Sequence, residues 1–224
     1  MIDPLENPVY NALCSVDKKF ARGSEMVKYF DEEVSPFAGF PSGYEKGFEE
    51  LHALLPKKRK ILFAIPTQIQ EPVGWNIVHE IKGLQFIYEG ATCPATKINP
   101  RELTITDVPQ MVELARLTKP GPFHSRTIEF GYYYGLFHDD KLIAMTGQRL
   151  HVDNYTEISA VCTHPAHLGK GYAGALILHQ LQIILSHGQV PFLHVRDDNQ
   201  RAISLYERLG FKVSRPMNFY FMVH

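Results

Sequence analysis

From Leu168 to Gly174 the sequence reads L-G-K-G-Y-A-G. Glycines spaced like Gly169 and Gly171 let a backbone turn sharply and come close to an anion, because no Cβ intervenes. Lys170 sits between them and Tyr172, Ala173 and Gly174 follow. The preceding run T-E-I-S-A-V-C-T, from Thr156 to Thr163, is β-branched and apolar around Glu157 and Ser159, as in a buried strand. After the turn, Ala173, Ile177, Leu181 and Ile184 recur at helical spacing. A strand, a glycine turn and a helix in that order aim free backbone N–H groups and the positive end of the helix dipole at one point, which suits a phosphate. The alternative is a glycine pair that only turns a strand into a helix.

The spacing fits two known phosphate sites poorly. G-x-x-x-x-G-K-[ST] is absent, and although Gly169, Gly171 and Gly174 come close to G-x-G-x-x-G, the acidic residue expected about 20 positions on would fall at Ser186-His187-Gly188. His164 and His167 lie three apart in a loop with neither a helical E-x-x-H context nor cysteine partners, so no metal site is expected. Cys162 has no histidine paired to it by any motif and reads as a small buried strand residue.

Further elements must hold this loop. Gly188 stops the helix, V-P-F-L-H-V-R from Val190 to Arg196 is a strand with Pro191 near its start, and Asn199 caps a helix that Gly210 ends before a strand begins at Phe211. Upstream, E-L-T-I reads as a strand, Thr106 as the cap of a helix carrying Met111, Leu114 and Leu117, and Ser125 to Gly131 as a short helix. Tyr132 to Leu150 is an antiparallel hairpin turning at Asp139-Asp140.

The run H-P-A-H-L-G-K-G-Y-A closely resembles the pyrophosphate loop Q/R-x-x-G-x-G/A of the GNAT superfamily of acyl-CoA-dependent N-acetyltransferases. Ala166 and Leu168 depart from the family's usual Gln or Arg, which leaves the backbone donors from Leu168 to Ala173. N-x-x-A-x-x-L-Y-E-x-x-G-F, from Asn199 to Phe211, is similar to a second family pattern in the right order. The resemblance covers about residues 101–224. It implies an α/β fold with a mixed, partly splayed sheet flanked by helices, and acetyl-CoA as acyl donor without a metal. The implied acceptor is a primary amine of a small molecule, amino acid or peptide. Carried over by position, Val161, Cys162 and Thr163 hold the acyl oxygen and pantetheine arm by main chain, Tyr206 protonates the departing thiolate, and Asn199 touches the cofactor or only caps. Glu157 is a general base or a hydrogen-bonded structural carboxylate. A non-catalytic acyl-CoA-binding regulator of the same fold and a nucleotide-binding oxidoreductase are the competing functions.

Composition agrees with an ordinary globular protein: 224 residues, 45% hydrophobic, 21% charged, formal net charge −1, which favours neither nucleic acid nor an anionic membrane. Three widely spaced cysteines (Cys14, Cys93, Cys162) and the lack of a signal-like start point to the cytoplasm. Residues 1–98 are expected to form an accessory α+β region and 99–224 the acetyltransferase domain. In the former, a helix from Tyr44 to Leu55 capped by Ser42, a strand from Ile61 to Ile65, and a hairpin turning at Gly83 are expected, with Trp75 in the core and a linker from Ala91 to Pro100. Oligomeric state cannot be read from the sequence.

Overall fold

The computed structural model describes residues 3–90, 96 and 98–224. Cys93 and part of the expected linker lie outside them. The strands are β1 (Arg22–Gly23), β2 (Lys28–Tyr29), β3 (Phe37–Gly39), β4 (Lys60–Ile65), β5 (Asn76–Tyr88), β6 (Arg101–Glu102), β7 (Tyr134–His138), β8 (Lys141–Val152), β9 (Tyr155–Thr163), β10 (Val190–Arg196) and β11 (Phe211–Val223). The helices are α1 (Pro8–Cys14), α2 (Gly47–Leu54), α3 (Val108–Thr118), α4 (Tyr172–Ser186) and α5 (Gln200–Arg208).

All eleven strands join one mixed sheet in the order β1-β2-β3-β4-β11-β5-β10-β9-β8-β7-β6. Among the described residues only β3–β4 and β9–β10 pair in parallel. The expected mixed sheet flanked by helices is what forms. Side chains of α1 and α3 share one core with Leu62, Met145, Phe192 and Met217, whereas Ile177, Leu181 and Ile184 of α4 and Ile203 and Tyr206 of α5 share another with Phe86 and Leu193. These two clusters place α1 and α3 on one face and α4 and α5 on the other. Each fully buried Leu or Ile contributes about 1.5–3 kcal/mol. A third cluster gathers α2 and Trp75 around Phe63 and Tyr220, and the indole Nε1–H donates to the Phe48 carbonyl at 3.0 Å.

Several local expectations change. The hairpin expected at Gly83 is instead one thirteen-residue strand, β5, running between β10 and β11. Gly83 serves close approach rather than a turn: a Cβ there would sit 2.8 Å from the Val195 carbonyl oxygen and 2.9 Å from the Phe219 ring. The cap before α3 is Thr104, not Thr106; it exchanges capping-box bonds with Asp107 across a 3-10 turn. α2 starts at Gly47, without a side-chain cap, and Thr127–Phe130 is a 3-10 turn where a short helix was expected. Among the described residues no helix is long and apolar enough to cross a membrane.

Candidate active site

β9 and β10 pair only at Tyr155–Val190, Thr156–Pro191 and Glu157–Phe192, and then part. β9 stays bonded to β8, and β10 to β5, so the sheet opens as a fork just beyond Glu157. Two bulges of opposite sense shape its β9 side. Arg149 and Leu150 of β8 both lie opposite Glu157, and Ala160 and Val161 of β9 both lie opposite Thr146, which restores the register. Ala160 takes a left-handed φ of +53°, a conformation that costs a residue with a Cβ about 1–2 kcal/mol.

Past the fork the chain passes a 3-10 turn, Pro165–His167, and enters the glycine loop. Gly169 and Gly171 have φ of +80° and +79°, and a Cβ at either would meet nothing within 4 Å. Backbone conformation, then, and not crowding, requires glycine there. α4 starts at Tyr172 and its N-cap, Gly171, offers no side-chain cap, so its first-turn N–H groups are left pointing out of the helix end. The loop and the fork open into a single cleft of about 940 Å³. Val161, Cys162, Thr163, Leu168, Gly169, Lys170, Gly171, Tyr172, Ala173, Gly174, Asn199 and Tyr206 all line it. Asn199 Oδ1 accepts from the Ala202 N–H at 3.2 Å and so caps α5. Burial pushes the Cys162 thiol up to about 11 and the Tyr206 phenol up to about 12, so both are protonated at neutral pH.

Glu157 is the exception among the expected site residues, because it lies beneath the cleft, 1% exposed. Its Oε2 accepts from Arg149 Nε–H at 2.8 Å and its Oε1 from Arg149 Nη2–H at 2.6 Å, with His194 Nδ1 2.8 Å from the same Oε1. Burial alone would raise this carboxyl. The charge and hydrogen bonds of Arg149, with the bond from His194, outweigh that and hold it well below the usual carboxylate range. A carboxylate that is a weak base and has both oxygens engaged fits the structural role named for Glu157 and not general-base work. Gln85 Nε2 donates to the Leu5 carbonyl at 3.0 Å and lies 3.1 Å from His194 Nε2. An amide nitrogen can only donate, so His194 Nε2 accepts and its proton sits on Nδ1, facing Glu157.

Arg149 and His194 line the cleft, as do Phe37, Leu62, Phe219 and Phe221, and sequence reasoning singled out none of them. One signal was available: Arg149 and Glu157 are opposite charges in two apolar strands, almost symmetric about the turn at Asp153-Asn154. The aromatic wall carried no comparable signal, since β3, β4 and β11 meet at the cleft only through the sheet order.

Comparison with known proteins agrees with this geometry. The family of FR47-like proteins matches residues 133–220. A solved structure of a GNAT-family protein from Novosphingobium aromaticivorans DSM 12444 is 33% identical, with a TM-score of 0.93 over 99% of each chain. A GCN5-related N-acetyltransferase from Kribbella flavida, 14% identical, shares the fold with a TM-score of 0.62 over 96% of this chain and 95% of its own. A GNAT-family acetyltransferase from Colwellia psychrerythraea does so at 12% identity and a TM-score of 0.55, over 99% and 98%. No curated protein matches the chain. With a third of its residues shared with a family member over nearly its whole length, this chain belongs to the GNAT superfamily.

Proposed function

We propose that the chain is an acetyl-CoA-dependent N-acetyltransferase that moves an acetyl group to a primary amine of a small molecule, an amino acid or a peptide. The observation that carries this reading is that the uncapped start of α4 and the strand fork share one cleft, with Tyr206 on its wall. In this reading the first-turn N–H groups and the loop from Leu168 to Gly174 bind the cofactor's pyrophosphate. Acetyl-CoA supplies an activated thioester. Where β9 has left β10, the main chain of Val161, Cys162 and Thr163 is free to receive the pantetheine arm and to donate to the acyl oxygen as charge develops there.

The amine nitrogen bonds to the carbonyl carbon, the carbon–sulfur bond breaks, and the nitrogen gives up a proton. Tyr206 donates a hydrogen bond to the departing sulfur. A phenol near 12 sits about 3.5 units above an ordinary thiol, so complete transfer costs roughly 5 kcal/mol, and the proton is shared with the thiolate while charge builds rather than surrendered early. Glu157 acts as a positioning residue that orients Arg149 and His194. Asn199, which caps α5 through Oδ1, leaves its amide N–H groups to reach the cofactor. Residues 1–98 act as an accessory region to an acetyltransferase domain at 99–224 while also lending it β5, the strand between β10 and β11, and the free thiols of Cys14 and Cys162 support a cytoplasmic setting.

A panel of amines offered with acetyl-CoA and scored by thiol release tests the proposal. Amine-dependent release is expected. Tight CoA binding without release for any amine would make the chain a regulator, and stronger binding of nicotinamide cofactors than of CoA would sink the acyl-transfer reading.

A further inference from the structure

A small recess opens off the cleft between the Pro120-Gly121-Pro122 loop and the β9 bulge, walled by Ser159, Ala160, Tyr133 and Arg149. Its free volume is about 10 Å³, room for one oxygen-sized group. Tyr133 is 1% exposed, and its Oη has no hydrogen-bond partner among the described residues. An unpaired buried hydroxyl destabilises a fold, yet the structure holds this one firmly. Leu103 N–H donates to the Tyr133 carbonyl at 2.8 Å, the ring meets Phe123 edge-on at 5.7 Å, and it lies across β8 where Gly147 has no Cβ, which would otherwise approach to 2.3 Å. Burial also raises the phenol well above its ordinary range, so it remains a donor.

Arg149 contributes the second donor. Glu157 occupies the edge formed by Nε and Nη2, and no partner for Nη1 exists among the described residues. The guanidinium can only donate and the protonated phenol can donate beside it, so together they favour an acceptor group. The guanidinium favours an anionic one, and a planar carboxylate matches it. Because the bulge that walls the recess also borders the proposed acyl site, amine and carboxylate must lie a few bonds apart. Phe219 and Phe221, both half-buried, offer an apolar surface beside it, with Phe37 and Leu62 buried behind them.

We propose that the acceptor amine carries a carboxylate close to its amino group, one oxygen of which enters the recess to meet Arg149 Nη1 and Tyr133 Oη, with an apolar side chain against Phe219 and Phe221: an apolar amino acid. This rests on the acetyltransferase reading, and its test includes a readout that does not. In the presence of CoA, titration calorimetry compares N-acetyl-L-phenylalanine with its carboxamide. Wild type should bind the carboxylate about 10- to 100-fold more tightly, the range for hydrogen bonds to a charged group. Tyr133→Phe keeps the ring and removes only the unpaired hydroxyl, so it should fold. It should lose part of that discrimination, about 3- to 10-fold, because the carboxylate loses more than the carboxamide and Arg149 retains the rest, while CoA binds as before; unchanged affinity for the carboxylate would overturn the role of Tyr133. Affinities for the two ligands within about twofold, or no binding of either, would overturn the subsite.

Turnover separates the two claims. Phenylalanine should be acetylated with a kcat/KM at least about 10-fold above that of phenethylamine. Equal rates would retain the enzyme and discard the subsite. No release with any amine, alongside selective binding of N-acetylphenylalanine, would discard the enzyme and retain the subsite.

Discussion

Replacing Glu157 by glutamine separates a positioning carboxylate from a catalytic one. The substitution keeps shape and burial, but it leaves the Arg149 guanidinium, whose side chain is only 13% exposed, facing a neutral amide. Breaking a buried pair by removing one partner costs about 3–5 kcal/mol. For a domain of this size each kcal/mol moves Tm by about 2–4 °C, so Glu157→Gln should melt roughly 6–20 °C below wild type by calorimetry. Arg149→Met combined with Glu157→Leu should recover only part of the loss, because no charge is left unpaired but the buried His194 Nδ1–H loses its acceptor. The pH dependence has a definite sign. The folded carboxyl lies below its ordinary value of 4.5, so the unfolded chain takes up the proton first as pH falls. The stability that Glu157 contributes is complete above about pH 5 and is lost progressively in more acid solution, so the Tm gap between wild type and Glu157→Gln should narrow there. A variant that melts within about 2 °C of wild type, while losing an acid limb from its rate profile, would refute this reasoning and make Glu157 the base.

Gly171→Val forces a β-branched residue to φ +79° and places its side chain where the proposed pyrophosphate lies; it should abolish the CoA-induced thermal shift, which in wild type should approach about 2.7 kcal/mol at 100 times Kd. Tyr206→Phe should bind acetyl-CoA normally and lose about 10- to 1000-fold in kcat; a loss under about twofold, with thiol release limiting, would reduce Tyr206 to packing. Gly83→Ala drives a methyl to within 3 Å of backbone and ring atoms in β10 and β11 and should cost about 1–3 kcal/mol in urea melts; an unchanged midpoint would contradict the seating of β5.

What the sequence disclosed divides along the range of the forces involved. Val190–Arg196 was read residue for residue, and the Asn199 cap and the Gly169 and Gly171 turn likewise, because each depends on backbone preferences within a few positions. Gly83 misled for the opposite reason. Its lack of a side chain answers to Val195 and Phe219, more than a hundred residues away, and nothing beside it distinguishes that need from a turn. The engagement of Glu157 with His194 was hidden in the same way: they meet only because β9 and β10 become neighbours before diverging. Tyr133 looked like one of three tyrosines in an apolar strand, and its orphaned hydroxyl is visible only once the loop at Pro120 has closed over it.

The place of β5 in the sheet also constrains how the chain comes off the ribosome. Both of its neighbours, β10 and β11, are made more than a hundred residues later. At translation rates of about 5–20 residues per second, β5 waits on the order of ten seconds with neither edge paired. Such a strand is a template for the wrong partner. Its outer half, Asn76 to Lys82, intersperses polar Asn76, His79, Glu80 and Lys82 among Ile77, Val78 and Ile81, and charge along that edge discourages pairing between nascent copies. The inner half, Leu84 to Tyr88, has only Gln85 to interrupt it, so misassembly during synthesis should begin there.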